Sequence, residues 1–254
     1  MNISNERLLM EKIFMDESFL KMLNKLFKEY NNKFYIVPEI QEYKLITDDK
    51  VARCFNQNDL YNKKYILYLN RNYIDIQQQY LRSTLFHELT HLYDSTILSK
   101  YDFKKYLYIM QIYSEVHASE IEMDSLLENI QNINIYSMVN YYNITIYQFL
   151  KYHLNDINNE FILPDGPIIK GQLKFNHKKL YYFIGYLRSL QKYDIQYEFE
   201  YSDRIPLNLK NIFNEITDYY LNNNIVDYDI LYNYQDKILY LTKDIIKTHM
   251  NQFI

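Results

Sequence analysis

Residues that break helices are very scarce in this chain: its 254 residues include 3 glycines and 4 prolines. Glycine supplies most tight turns and proline ends helices, so few positions can interrupt a long helical segment. Because 48% of the residues are hydrophobic and 24% are charged, the chain also has the balance of a folded globular protein. The sequence therefore predicts a fold dominated by helices, with a chain long enough to bury a substantial core.

Charge and cysteine content argue against several classes of protein. The net charge is −4, whereas a protein that binds nucleic acid regardless of sequence needs a basic face, so we expect no nucleic-acid partner. Cys54 is the single cysteine, which fits a reducing compartment. No stretch approaches the about 18 uninterrupted apolar residues of a membrane span, and the first residues do not resemble a secretion signal. We therefore expect a cytoplasmic protein with no membrane span.

Hydrophobic periodicity predicts a first half that mixes helices with short strands. Apolar residues at helical spacing indicate one amphipathic helix or two short ones within residues 5–30. Further helical patterns run from Asp75, a predicted N-cap, to Thr96, and then over residues 103–130. Runs of β-prone residues indicate three strands, over residues 33–38, 51–55 and 63–72.

The second half has mainly helical patterns. Residues 163–172 hold two of the three glycines and two of the four prolines, so they are the clearest predicted loop. Three helical patterns follow this loop, over residues 177–193, 206–221 and 229–250. Strands in the first half and helices throughout indicate the α+β class.

The stretch LFHELTHLYD places His87 and His91 four residues apart in a strong helical pattern. Residues at this spacing stand one above the other on a helix, so both imidazoles can bind one Zn²⁺ ion at about 2.0–2.1 Å. Glu88 lies beside this face, where it can take a proton from a zinc-bound water. The uncharged Leu89 and Thr90 favour this reading over a chance match on a surface helix. The alternative is a helix with two unrelated histidines.

A catalytic zinc has three protein ligands and one open position, so the third ligand should lie on another element. The segment YSEVHASEIEMD offers Glu115, on a helical face that it shares with the small Ala118. We take Glu115 as the predicted third ligand. Glu122 returns to the same face and is the spare candidate, His117 points away from that face, and Glu120 is expected to be a solvated charge.

The sequence leaves the roles of several other side chains open. Asp94 follows His91 by three residues, so it can orient an imidazole by accepting its second N–H, or it can bond to solvent at the helix end. Four residues could each polarise a substrate carbonyl, and the sequence favours none of them over the others: Tyr93, Tyr113, His153 and His177.

The segments HELTHLYD and SEVHA resemble those of the gluzincin metallopeptidases, which carry HExxH on one helix and a glutamate ligand on the next. The sequence YILYLNRNYIDIQQQYLRSTLFHELTHLYD, with YSEVHASE after it, is similar to the mitochondrial ATP-synthase-processing peptidase family. The ImmA/IrrE-type regulatory peptidases share the same skeleton. The likeness covers about residues 60–124 and implies that His87, His91 and Glu115 bind zinc and that Glu88 is the base.

The resemblance also implies an architecture. Residues 1–130 would form a zincin-like metallopeptidase core, with a small, mostly antiparallel sheet, the HExxH helix and the second ligand helix. Residues 131–254 would form a mainly helical region that packs beside this core. The edge strand of the sheet, expected at residues 64–70, would bind the backbone of the substrate by strand addition.

Two functions follow from these observations. The first is a zinc-dependent endopeptidase that hydrolyses a protein or peptide substrate through a zinc-bound water activated by Glu88. The second is a non-catalytic interaction or regulatory protein with structural zinc, whose helical half would offer surface aromatics to a partner: Tyr181, Tyr182 and Tyr186. The sequence leaves the oligomeric state open.

Overall fold

The computed structural model describes residues 17–38, 40, 42–46, 52–57, 64–70, 78–139, 142–163 and 175–251. The chain divides into two compact units, Met1–Ser99 and Lys100–Ile254. The described part is mostly helical and contains small sheets, as expected of an α+β protein. The predicted boundary after residue 130 falls inside the second unit and stays a prediction, as does the zincin-like character of the core.

In its described residues, the first unit contains two helices and three strands. They are α1 (Glu17–Lys33), β1 (Glu42–Ile46), β2 (Ala52–Gln57), β3 (Lys64–Asn70) and α2 (Gln78–Leu98). Strands β2 and β3 confirm two of the predicted strands, and α2 confirms the helix that carries the HExxH motif. The first residues of the predicted N-terminal helix (5–16) and Asp75 lie outside the described residues.

The strand predicted over residues 33–38 is wrong. Lys33 ends α1, and residues 34–38 have no regular secondary structure. The backbone N–H of Phe34 donates to the carbonyl of Tyr30 at 2.9 Å, and the N–H of Val37 donates to Asn31 Oδ1 at 3.3 Å. Because these donors are bonded to the end of α1, they do not form a strand ladder.

The sheet is mixed rather than mostly antiparallel. Its strand order is β1-β3-β2, with β1 parallel to β3 and β2 antiparallel to it. The consecutive residues Ile66 and Leu67 of β3 are both fully buried, and consecutive side chains of a strand point to opposite faces. Strand β3 lies between β1 and β2 and is covered on both faces. It is the central strand, so its prediction as the edge strand that binds substrate is wrong.

Helix α2 packs against α1 through the residues between and before its two histidines. Thr90 is fully buried, and its Oγ1 lies 2.9 Å from the hydroxyl of Tyr30. The rings of Tyr30 and Phe86 meet edge to face, with centroids 5.4 Å apart. One face of α2 is thus fixed in the core of the first unit.

The second unit is built from helices and a two-stranded hairpin. Its elements are α3 (Phe103–Ile109), a π-helical turn (Met110–Ser114), α4 (Glu115–Leu127), β4 (Met138–Val139), β5 (Ile144–Thr145), α5 (Ile146–Glu160), α6 (Lys178–Gln191), α7 (Leu207–Asn222) and α8 (Tyr228–Asn251). The three helices predicted after the loop are confirmed as α6, α7 and α8. Residues 164–172 of the predicted loop lie outside the described residues.

The helix predicted over residues 103–130 is interrupted by the π turn at Met110–Ser114. A π turn adds one residue to a helical turn, so side chains after it face a different direction from those of an unbroken helix. Glu115 is the first residue of α4, directly after this turn. The interruption therefore sets the direction in which Glu115 points.

Helices α4 and α6 approach each other closely at Gly185. A Cβ atom added there would lie 2.3 Å from the carbonyl oxygen of Val116 and 2.7 Å from the Cβ of Ser119. Only glycine allows two helix backbones to come this near. The same pair of helices is joined by a buried ion pair, in which Arg188 Nε donates to Glu120 Oε2 at 2.8 Å.

Candidate metal centre

The two histidines of the HExxH motif face each other on α2. Their Nε2 atoms are 3.1 Å apart, and their ring planes are nearly perpendicular at 84°. Two ligands of a tetrahedral zinc ion, each about 2.0–2.1 Å from the metal, are about 3.3 Å apart. His87 is buried and His91 is partly buried. The imidazole pair therefore has the spacing of two ligands of a single ion.

Among the described residues, His87, His91 and Glu115 form a group that can hold a metal ion. Each offers one ligand atom, and these atoms all lie within 4.8 Å of one another. Two imidazole nitrogens and one carboxylate oxygen are a ligand set that suits zinc and leaves a fourth position for water or substrate. The donors present therefore fit the predicted zinc ion.

Glu115 is a buried carboxylate, with 4% of its surface exposed. The ammonium group of Lys178, in the first turn of α6, forms an ion pair with its Oε1. Burial raises the pKa of the Tyr181 phenol, and the negative charge of Glu115 raises it further. Lys178 and Tyr181 are three residues apart on α6, so this helix presents a cation and a neutral phenol near the carboxylate.

Neither Lys178 nor Tyr181 is predicted by the sequence as part of this site. Both lie more than 60 residues beyond Glu115, with no motif around them. Tyr181 also donates its hydroxyl hydrogen to Gln235 Oε1, and Gln235 Nε2 donates to Gln111 Oε1 at 2.9 Å. Because Gln111 belongs to the π turn, these bonds connect α6 and α8 to the segment that precedes Glu115.

The prediction that Glu120 is a solvated charge is wrong. Glu120 is buried and pairs with Arg188 and with Lys192, each at 2.8 Å. Burial alone would raise the pKa of this carboxyl, but the two cations more than offset it and hold the pKa below its usual range. Asp124 is also paired with Lys192, at 2.6 Å. These acidic residues therefore connect α4 to α6 and are not part of the metal-binding group.

The two remaining acidic side chains of the HExxH helix differ in exposure. Glu88 is partly buried. Asp94 is fully buried, so the reading in which it bonds to solvent at the helix end is wrong. Burial raises the pKa of Tyr30, and the charge of Asp94 contributes to this rise. That Asp94 orients an imidazole stays a prediction.

The residues that could polarise a carbonyl have different surroundings. Tyr93 stacks on Tyr35 with ring centroids 4.1 Å apart, and Tyr113 lies in the π turn. The Nε2 of His177 lies 3.1 Å from Thr242 Oγ1. These contacts hold Tyr93 and His177 within their own units. That one of the four residues polarises a substrate carbonyl stays a prediction.

His153 and His177 share an electrostatic property. Burial lowers the pKa of each to about 4, below the usual value of about 6.5. The ring of His153 lies 4.5 Å from that of Phe149 and 4.8 Å from that of Tyr186, measured between centroids. Both histidines are therefore neutral near pH 7 and packed within the second unit.

The aromatic residues predicted to form a partner surface belong largely to the core. Tyr181 is 1% exposed and Tyr186 is 4% exposed, while Tyr182 is partly buried. The prediction of a surface position is therefore wrong for Tyr181 and Tyr186, which belong to the hydrophobic core of the second unit. The exposed aromatics of this unit lie elsewhere, for example Tyr136 and Tyr152.

Comparison with known proteins gives no family. No protein-family model matches the chain, and searches of curated proteins and of solved structures find no match. In the described part of the chain, no helix has the length and apolar character needed to cross a membrane. The likeness to gluzincin metallopeptidases therefore rests on the motif residues His87, Glu88, His91 and Glu115.

Proposed function

We propose that this protein is a zinc-dependent endopeptidase. The observation that carries the proposal is the imidazole pair of His87 and His91, 3.1 Å apart on one helix, grouped with the carboxylate of Glu115. Glu88 follows His87 directly, which is where a general base for metal-assisted hydrolysis is needed. The buried environment of the ligands supports the proposal, because low polarity strengthens the interaction of a cation with its ligands.

In the proposed reaction, His87, His91 and Glu115 hold the zinc ion. Zinc, when bound, supplies Lewis acidity towards a water molecule and a peptide carbonyl. Glu88 accepts the proton that the water loses as its oxygen bonds to the carbonyl carbon. The same carboxyl group then donates this proton to the leaving amine as the C–N bond breaks, which returns Glu88 to its ionised form.

The test is cleavage of a peptide library by zinc-loaded protein and by a Glu88→Gln variant. Removal of a general base lowers rates by about 10²–10⁴-fold, so we expect that loss with zinc content unchanged. A Glu215→Gln variant is the matched control, because Glu215 is an exposed carboxylate on α7 that pairs with Lys237. Undiminished hydrolysis by Glu88→Gln would refute the mechanism.

The same experiment separates the endopeptidase from its alternative. A non-catalytic interaction or regulatory protein with structural zinc would bind the metal and cleave no peptide of the library. The burial of Tyr181 and Tyr186 weakens this alternative, because it takes two of its three named aromatic residues off the surface. We therefore place the endopeptidase first, with a protein or peptide as its substrate.

A further inference from the structure

The ion pair of Lys178 with Glu115 differs from the other buried ion pair of the same helix. Glu120, five residues further along α4, is held by two cations, and one of them, Arg188, also donates to the carbonyl oxygens of Tyr220 and Asn223. That guanidinium is anchored by several bonds and has 17% of its side chain exposed. It is a permanent part of the packing between helices.

Lys178 has a different character. Its side chain is 49% exposed, while that of Glu115 is 5% exposed. Within the described residues, its side chain forms one ion pair, to Glu115. A lysine has a flexible four-carbon stem and a strongly hydrated ammonium group, so it can leave a carboxylate for solvent at a low cost. A carboxylate as buried as that of Glu115 cannot move into solvent in the same way.

A buried carboxylate needs a positive partner. Removal of one member of a buried ion pair is destabilising, because the remaining charge stays out of water without compensation. A zinc ion and the Lys178 ammonium would both neutralise the single negative charge of Glu115, and Lys178 contacts this carboxylate through its Oε1. The two cations therefore compete for the same carboxylate.

From this competition we infer that Lys178 is a resident counter-cation: it neutralises Glu115 while the metal is absent and moves into solvent when zinc binds. Lys178 is then a positioning residue, which holds the third ligand in place before the metal arrives. It also lowers the affinity for zinc, because each binding event must break the ion pair. This inference rests on the metal site of the proposed function and deepens it.

The test is the zinc affinity of metal-free protein, measured by competition with a chromogenic chelator, for wild type and for Lys178→Met. We expect the variant to bind zinc about tenfold more tightly, which corresponds to about 1.4 kcal/mol. Its melting temperature should be lower than that of wild type without metal and equal to it with zinc. Lys178→Arg keeps the cation and should retain the wild-type affinity.

Lys179→Met is the matched control, because Lys179 is the next residue of α6 and pairs instead with Glu160 at 3.0 Å. Its zinc affinity should equal that of wild type. If Lys178→Met does not fold without metal, Lys178→Gln, which keeps a hydrogen-bond donor, should show the same tightening.

The outcomes separate this inference from the proposed function. Wild-type protein that binds zinc, with Lys178→Met and Lys178→Gln no tighter than wild type, would overturn the role of Lys178 and leave the metal site intact. No zinc binding by wild type or by either variant would overturn both. Zinc binding by Lys178→Met but not by wild type would also overturn the inference, because Lys178 would then fail to leave Glu115 when zinc is present.

Discussion

Replacement of Gly185 by alanine tests the packing that holds the helix of Glu115. The added Cβ would lie 2.3 Å from Val116 O, 2.7 Å from Ser119 Cβ and 2.9 Å from Glu120 N. Two of these three atoms belong to the backbone of α4, so no rotation of a side chain can relieve the overlap. Either α4 or α6 must shift.

The expected loss of stability combines two opposing effects. Overpacking of a core costs about 1–3 kcal/mol, and contact with backbone places this site at the upper end, about 3 kcal/mol. Alanine is favoured over glycine within a helix by about 1 kcal/mol. The net free energy of unfolding should therefore fall by about 2 kcal/mol. For a chain of this length, that corresponds to a melting temperature lower by about 4–8 °C.

Thermal and urea unfolding followed by circular dichroism measure this loss. Gln191→Ala is the control, because it lies at the exposed end of the same helix, where a substitution should change the unfolding free energy by about 0.5 kcal/mol or less. Gly185→Ser should be at least as destabilising as Gly185→Ala. If Gly185→Ala were as stable as the wild type, the close approach of α4 and α6 could not be correct.

Two further predictions concern charge in the second unit. Arg188→Met should lower the free energy of unfolding in urea by about 3 kcal/mol, because Glu120 loses its anchored partner; a loss below about 1 kcal/mol would mean that the pair contributes little. Stability should also fall as the pH drops from about 6.5 to about 4, by about 2 kcal/mol for each of His153 and His177. Both have a folded-state pKa of about 4, so the unfolded chain binds protons first over this range. Melting temperatures at pH 7, 5.5 and 4.5 check this, and His153→Gln should remove about half of the dependence; a flat profile would contradict it.

The predictions that the structure confirms come from patterns among residues close together in the sequence. The spacing of His87 and His91 determines their geometry once the segment is helical, because residues four apart on a helix share a face. The helices α6, α7 and α8 each carry apolar residues at a period close to 3.6, which is a local signal. No knowledge of the rest of the chain is needed for either conclusion.

Non-local contacts account for the parts that the sequence does not predict. Strand β3 is central because β1 pairs with its second edge. The sequence of β1, EYKLI, alternates polar and apolar residues at its start, but its charged residues make it a weak strand signal. Glu120 reads as a solvated charge because its partners, Arg188 and Lys192, follow 68 and 72 residues later. The π turn before Glu115 likewise has no local signature in the sequence.

The central claim is that His87, His91 and Glu115 bind one zinc ion. Metal content by mass spectrometry tests it most directly, on protein purified without an affinity metal column, for wild type, His91→Ala and, as a matched control, His153→Gln. The account predicts one zinc per chain in wild type and in His153→Gln, and none in His91→Ala. No zinc in wild type even after zinc is added back, or full zinc retained by His91→Ala, would contradict it.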